Sequence, residues 1–189
     1  MFKSALFFIL LTGCESSTFE VENSIDTNEL IANNVVFDDC GYVVGTHTCN
    51  FALLDNDGNE VSLYDFYGKT IILNFSTIGC YYCQQAAYEI TDTMELFKED
   101  DIAYISLIVE GWSGNTPTQP ELVEWTNNFK LDTPILSAPK DEMTDVMSNE
   151  GFYISSWPTF FFIDNEMVMN SYIRGYNQEM INTAIANTL

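Results

Sequence analysis

Apolar runs of strand length recur along the chain and are separated by polar turns. The segments 70–76 (TIILNFS) and 102–110 (IAYISLIVE) are almost continuously apolar, as is typical of strands covered on both faces of a sheet. Hairpins are indicated where two short runs flank a turn, near both ends of the chain. The predicted strands are 51–54, 60–63, 70–76, 102–110, 134–136, 159–164 and 167–176.

Helical periodicity occupies the segments between these strands. After the segment 70–76, apolar residues fall at spacings of three and four, which predicts one helix from near Cys80 to near Lys98. The further predicted helices are 120–129, 141–148 and 177–186. Strands that alternate with helices, followed by a hairpin and a terminal helix, indicate an α/β domain with a mixed β-sheet in three layers and an N-terminal β-hairpin extension.

The N-terminal residues are those of an exported protein. Residues 1–13 combine a positive charge at Lys3 with an apolar run shorter than the roughly 20 residues that span a bilayer, which predicts a signal peptide. Its ending, LTGC, resembles the lipobox of bacterial lipoproteins and implies lipid attachment at Cys14. An ordinary secretory signal is the alternative. We predict a polar tether at 14–36, a domain at 37–189, and a location in the bacterial cell envelope, lipid-anchored on the periplasmic or extracytoplasmic face.

The chain is strongly acidic. It carries 28 Asp and Glu residues against six Lys and Arg, for a net charge of −22. Such a surface repels phosphate groups, so we expect neither a nucleic-acid partner nor binding to anionic lipid head groups. We interpret the charge as a source of solubility rather than as a site for a specific cationic partner.

The five cysteines fall into one single residue and two close pairs. With Cys14 assigned to lipid, an even number remains in an oxidising compartment, which allows two disulfides. Proximity favours Cys40 with Cys49 and Cys80 with Cys83. We predict that the first pair forms a structural disulfide, with a second redox pair or free thiols as alternatives.

The second pair has the spacing of a redox centre. A buried strand precedes it, and the predicted helix begins at or near Cys80, where unpaired N–H groups favour a thiolate. Cys80 is therefore the predicted nucleophile, and Cys83, one helical turn later, the residue that resolves a mixed disulfide. This chemistry requires no metal and no organic cofactor, but it does require a protein that donates or accepts electrons.

Two segments carry a family resemblance. Residues 50–83, which end in STIGCYYC, resemble the redoxin and TlpA-like branch of the thioredoxin superfamily, a branch related to AhpC/TSA proteins. The segment SWPTFFFIDNE resembles the part of that family which carries a cis-proline, here Pro158. The resemblance covers roughly residues 49–189. It implies a thioredoxin-like fold, protein thiol or disulfide substrates, and a substrate surface shaped by Trp157, Pro158 and Thr159.

The chain departs from the family around its cysteines. The tryptophan and proline typical of the motif are missing, and Tyr81 and Tyr82 stand between the thiols, where we expect them to affect the redox potential and contact the substrate. Ala86 replaces a glutamate found in many TlpA-like reductases, which leaves Glu89 as a weak candidate for proton transfer. Trp157 is bulkier than the family's usual residue and could narrow the substrate groove.

Other interpretations of the CxxC remain open. It could be half of a zinc site completed by Cys40, His47 and Cys49, or a purely structural disulfide. His47 is otherwise expected to be an exposed loop residue, and Trp112 and Trp125 are expected to be packing residues rather than the lining of a groove.

Two further functions also fit a thioredoxin-like chain. A thiol peroxidase of the AhpC/TSA type is suggested by Thr77 and Cys80, which match a TxxC motif, although Leu73 replaces that motif's proline and Arg174 is the only arginine. A non-catalytic thioredoxin-like binding module is the other possibility.

Overall fold

A computed structural model describes residues 35–145 and 147–189 of the chain. The predicted signal peptide, the predicted lipidation site Cys14 and nearly all of the predicted tether lie outside these residues. Within the described part, no helix combines the length and apolarity needed to cross a membrane.

The described residues contain seven strands, five α-helices and one 3-10 turn, arranged around one large sheet. In chain order they are β1 (Ala52–Leu54), β2 (Glu60–Ser62), a 3-10 turn (Leu63–Phe66), β3 (Thr70–Thr77), α1 (Tyr81–Tyr88), α2 (Ile90–Leu96), β4 (Ile102–Glu110), α3 (Gln119–Phe129), β5 (Ile135–Ser137), α4 (Lys140–Met143), β6 (Thr159–Ile163), β7 (Met169–Arg174) and, last, α5 (Gln178–Thr188).

The large sheet is mixed, and β3 lies at its centre. Its strand order is β5-β4-β3-β6-β7, with the first three strands parallel and with β6 antiparallel to both β3 and β7. All eight residues of β3 are buried, as its apolar sequence predicts. A separate antiparallel hairpin is formed by β1 and β2. The predicted mixed sheet and the predicted N-terminal hairpin are both confirmed.

Side chains alternate between two cores, one on each face of the sheet. On β3, Ile72 belongs to the core that includes residues of α1, α2, α3 and α5, whereas Ile71 and Leu73 belong to the core that includes residues of the 3-10 turn and α4. The same alternation appears on β6, where Phe160 and Phe161 belong to opposite cores. Each such side chain contributes roughly 1.5–3 kcal/mol by its burial, so both faces of the sheet are held firmly against their outer layers.

The helix predicted from Cys80 to Lys98 is in fact two helices. The first ends at Tyr88 and the second begins at Ile90, with Glu89 between them donating its N–H to Ala86 and Ala87 carbonyls. The β-branched residues that follow lower the helix propensity of this segment, and Thr93 donates its hydroxyl to the Glu89 carbonyl.

The helix predicted at 141–148 was too long. Helix α4 stops at Met143, because Thr144 is extended and Asp145 folds the chain into a turn. The Asp145 carboxylate accepts hydrogen bonds from the backbone N–H groups of Met147 and Asn149, which competes with helical hydrogen bonding.

Candidate active site

The cysteine pair lies where the central strand ends and α1 begins. Cys80 is the N-cap residue of α1, with extended backbone angles, and its Sγ accepts a hydrogen bond from the Cys83 N–H at 3.2 Å. The turn before it is fixed at Ile78, whose N–H donates to the Glu110 carbonyl and whose carbonyl accepts from the Gln84 side chain. A sulfur in this position receives a backbone donor of the helix N-terminus, which stabilises a negative charge on it.

The two thiols differ in exposure. Both are free cysteines; Cys80 is half-buried, whereas Cys83 has no exposed surface. Burial raises the pKa of the Cys83 thiol, and its hydrogen bond with Cys80 raises that pKa further. The outer sulfur is therefore available to a partner protein, while the inner one is kept protonated and sheltered.

A buried polar cluster lies beneath Cys83. Ser76 Oγ donates to Asn74 Oδ1 at 3.1 Å, and the Ser76 side chain lowers the pKa of the nearby Cys83 thiol. Tyr104 is a buried side chain on β4; its burial raises the pKa of its phenol, and the Asn74 side chain lowers that pKa. From the sequence, Ser76 and Tyr104 are predicted only as strand residues. Both could have been singled out from the sequence, because each is a polar side chain inside a largely apolar strand.

The loop that contains Pro158 leads into β6 at the same end of the sheet at which the cysteine turn follows β3. The Trp157–Pro158 peptide bond is cis, and Thr159, the first residue of β6, pairs with Phe75 near the end of β3. The Pro158 carbonyl accepts from Gly175 N–H at 2.7 Å. Cys80 and Trp157 both pack against the core on the helix side of the sheet, and the pairing of Thr159 with Phe75 places the two loops at the same end of the sheet.

Aromatic side chains lie at this end of the sheet. Tyr81 and Tyr82 are both exposed in the first turn of α1, with their rings edge to face and their centroids 5.4 Å apart. Trp157 is half-buried beneath Lys140, whose Nζ lies 5.7 Å from the indole centroid and also pairs with Glu110. The candidate site residues at 81, 82 and 157 therefore present apolar surface next to Cys80.

The other cysteine pair is joined. Cys40 and Cys49 form a disulfide with an S–S distance of 2.14 Å and a Cα–Cα distance of 4.8 Å. Because their sulfurs are bonded to each other, they are not free to ligate zinc, and no group of three metal-ligating side chains occurs in the ranges described. His47, expected to be exposed, is instead half-buried and stacked on Phe37 at 4.0 Å.

A mixed sheet whose central strand leads into a CxxC helix, with a cis-proline before the adjacent antiparallel strand, defines a thioredoxin-like oxidoreductase. Residues 44–171, about two thirds of the chain, match the AhpC/TSA family. The chain belongs to the AhpC/TSA family.

Individual relatives and solved structures agree with this class. The chain is 24% identical to the thiol-disulfide oxidoreductase ResA of Bacillus thuringiensis subsp. konkukian over 132 residues, 70% of each protein. A thiol:disulfide interchange protein of the thioredoxin family from Chlorobium tepidum superposes with a TM-score of 0.61 at 16% identity, over 80% of this chain and 99% of that one. The exposed lipoprotein thioredoxin Etrx1 of Streptococcus pneumoniae gives a TM-score of 0.55 at 25% identity, over 74% and 99%.

Proposed function

We propose that the protein is an extracytoplasmic, membrane-anchored thiol:disulfide oxidoreductase in which Cys80 attacks and Cys83 resolves. The observation that carries this proposal is the asymmetry of the pair: Cys80 is reachable at a helix N-cap, and Cys83 is fully buried one turn later. The name of the ResA relative, a thiol-disulfide oxidoreductase, supports the same activity.

The exchange has two balanced steps. In the first, the Cys80 thiolate attacks a disulfide of the substrate protein; a bond forms from Cys80 to one substrate sulfur, and the other substrate sulfur leaves as a thiolate and takes a proton. In the second, Cys83 loses its proton and attacks the Cys80 sulfur. A Cys80–Cys83 disulfide then forms and the second substrate thiol is released. A protein dithiol restores the reduced pair, and the same steps reversed oxidise a substrate.

The proposed substrate surface surrounds Cys80. Tyr81 and Tyr82 offer exposed rings on one side, and the half-buried Trp157 would lie on the other; Pro158 and Thr159 are buried and would shape this surface from beneath. This surface would contact the polypeptide on both sides of the exchanged sulfur.

The location is proposed from the sequence. Residues 1–13 would act as the signal peptide, Cys14 would carry the lipid, and 14–36 would tether the domain at 37–189 to the envelope membrane. The likeness to the pneumococcal lipoprotein thioredoxin supports this arrangement.

Trapping tests the activity directly. In the Cys83→Ser variant the second step is blocked, so Cys80 should retain its partner as a mixed disulfide visible by non-reducing electrophoresis. The Cys80→Ser/Cys83→Ser variant, the matched control, should retain nothing.

Two results would contradict the proposal, and each would indicate a different function. Capture of no partner by Cys83→Ser, with no reaction toward a small disulfide, would indicate a binding module. Rapid hydrogen peroxide consumption that depends on Cys80, with no disulfide exchange, would indicate a peroxidase. The position of Arg174, whose guanidinium lies over the rings of Tyr153 and Tyr172, gives no support to the peroxidase.

A further inference from the structure

A cleft of about 350 Å³ opens between α1, α3 and the loop that follows β4. It is lined by both helices and by the loop, and its size falls in the range of side-chain and small-ligand sites. The residues that determine its chemistry are Tyr88 of α1, Trp112 of the loop, and Glu121, Glu124, Trp125 and Phe129 of α3.

Aromatic rings make up most of its apolar lining. Tyr88, Phe129 and Trp125 are in continuous contact, with centroid separations of 4.7 Å for the first pair and 4.6 Å for the second. Trp125 is buried, as expected of a packing residue. Trp112, expected to be one too, is 64% exposed, so the sequence interpretation was wrong for it. An exposed indole and an exposed phenol, that of Tyr88, are thus available to an occupant.

The charges of the cleft have one sign. Its ionisable side chains are Glu121, Glu124 and the phenol of Tyr88, and its lining includes no lysine, arginine or histidine. Glu121 is kept ionised, because hydrogen bonds from Thr118 and from the Trp112 N–H lower its pKa. Glu124 is exposed and accepts no hydrogen bond of this kind among the described residues. An apolar occupant would desolvate these carboxylates, and an anion would be repelled, whereas a cation fits both the carboxylates and the ring faces.

The cleft adjoins the redox pair through shared residues. Ile78 lies two positions before Cys80, and Gln84 directly follows Cys83; the Gln84 side chain donates to the Ile78 carbonyl at 3.0 Å. A polypeptide bound with its sulfur at Cys80 can therefore extend a nearby side chain into the cleft.

We infer that this cleft binds a lysine or arginine side chain of the polypeptide that exchanges at Cys80. The inference rests on the proposed function and names a substrate class for it: cysteine-containing segments with a basic residue close to the sulfur. The selectivity arises from this local arrangement of rings and carboxylates. The net charge of the whole chain, interpreted above as a source of solubility, is not required for it.

Matched peptides test the inference in the Cys83→Ser background. Each peptide carries one cysteine as a disulfide with 5-thio-2-nitrobenzoate, so attack by Cys80 attaches the peptide and releases the coloured thiolate. Lysine or glutamine is placed at about two to five residues from the cysteine, a distance that an extended chain covers. The measured quantity is the ratio of the two second-order rate constants at low ionic strength.

At the best position we expect a lysine preference of about five- to tenfold, decreasing as salt is added. Glu124→Gln and Trp112→Ala should each reduce this ratio by about threefold. Glu99→Gln is the matched control, since Glu99 is exposed and lies near the start of β4, at the opposite end of the sheet from Cys80. It should leave the ratio unchanged.

Binding of serine-containing versions of the same peptides, measured by calorimetry, separates this inference from the proposed function. Failure of both cysteine peptides to react would overturn the proposed function, while lysine-dependent binding lost in Glu124→Gln would still support the cleft. Reaction of both peptides at equal rates, without preferential binding of the lysine peptide, would overturn the inference. So would equal effects of Glu124→Gln and Glu99→Gln.

Discussion

Each of the two cysteine pairs consists of residues that lie close together in the sequence, but the surroundings of the two pairs differ. Cys80 and Cys83 lie at the junction of a buried central strand and a helix, where one sulfur receives a helix N–H and the other is sealed by the core. Cys40 and Cys49 lie in a loop without regular structure and are bonded to each other. The junction with α1 would give the first pair the reactivity proposed for it, whereas the second pair lacks a helix N-terminus and forms a cross-link.

The loop of the second pair is also held by the sheet. Thr48 N–H donates to the Met167 carbonyl at 2.7 Å, and Met169 N–H donates to the Thr46 carbonyl at 3.0 Å. His47 stacks on Phe37 between these bonds. The loop is therefore attached to the hairpin of β6 and β7, and its disulfide strengthens an attachment that the backbone already makes.

The largest expected effect is at Cys80. Replacement by serine should lower the rate of thiol–disulfide exchange by about a thousandfold or more, because the nucleophile is lost. Stability should change little, since serine is a good N-cap residue. Insulin reduction or reaction with a small disulfide measures the rate, and thermal unfolding checks the fold. Residual exchange within tenfold of the parent would contradict the assignment.

Removing the Cys40–Cys49 disulfide should have the reverse outcome, a loss of stability with little change in the exchange rate. The Cys40→Ser/Cys49→Ser variant should lose about 2.5 kcal/mol of unfolding free energy, from the closed loop of nine-residue separation. Its exchange rate under folding conditions should stay within about twofold of the parent. Urea unfolding and the exchange assay measure the two quantities. If this variant loses exchange as Cys80→Ser does, the contrast between the pairs fails.

A smaller effect on the exchange kinetics is expected from a change in the polar cluster beneath Cys83. Reaction with dithiobis(nitrobenzoate) releases one coloured thiolate on attack by Cys80 and a second on resolution by Cys83. Because the Cys83 pKa is raised, its thiolate is the minor form at neutral pH, and the second phase should accelerate about tenfold per pH unit. Ser76→Ala removes a side-chain hydroxyl that lowers this pKa, so the second phase should slow by about threefold and its pH profile should move to higher pH.

Ser106→Ala is the control for that variant. Ser106 is buried on β4 opposite Asn74 in the strand register, and its hydroxyl has no hydrogen-bond partner in the part of the chain described. The control should leave the second phase unchanged. Equal slowing in both variants would show that the effect comes from packing.

The smallest expected effect on stability concerns the disulfide loop. His47→Ala removes the stack on Phe37 and should cost about 1 kcal/mol of unfolding free energy, or a few degrees in Tm. Val44→Ala, at an exposed position in the same loop, should change the stability by less than about 0.5 kcal/mol. A stability loss in His47→Ala no larger than in Val44→Ala would mean that the stack contributes nothing to holding the loop.

The sequence predicted the sheet well because its central strands are apolar over their whole length. The strand at 102–110 was predicted with its observed limits, and the helix N-terminus at Cys80 followed from the end of the strand before it. The break at Glu89 was missed, since apolar spacing continues across it and a single non-helical residue hardly disturbs the pattern.

Parts of the site depended on contacts between distant segments. Tyr104 approaches Cys83 only because β3 and β4 are parallel and in register, which no local pattern specifies. The exposure of Trp112 depends on a loop held by Glu121, nine residues further on. Local sequence patterns therefore predicted the position of the two cysteines at the strand–helix junction better than the exposure of the side chains around them.

Glu121 also has a thermodynamic consequence. One carboxylate joins the loop to the first turn of α3, because it accepts hydrogen bonds from the N–H groups of Trp112 and Thr118. A Cβ at Gly111 would lie 2.6 Å from this carboxylate, so glycine at this position leaves room for it. The conformational entropy of the loop is thus lost when the domain folds. A partner that meets Trp112 finds it already positioned, and association costs correspondingly less entropy.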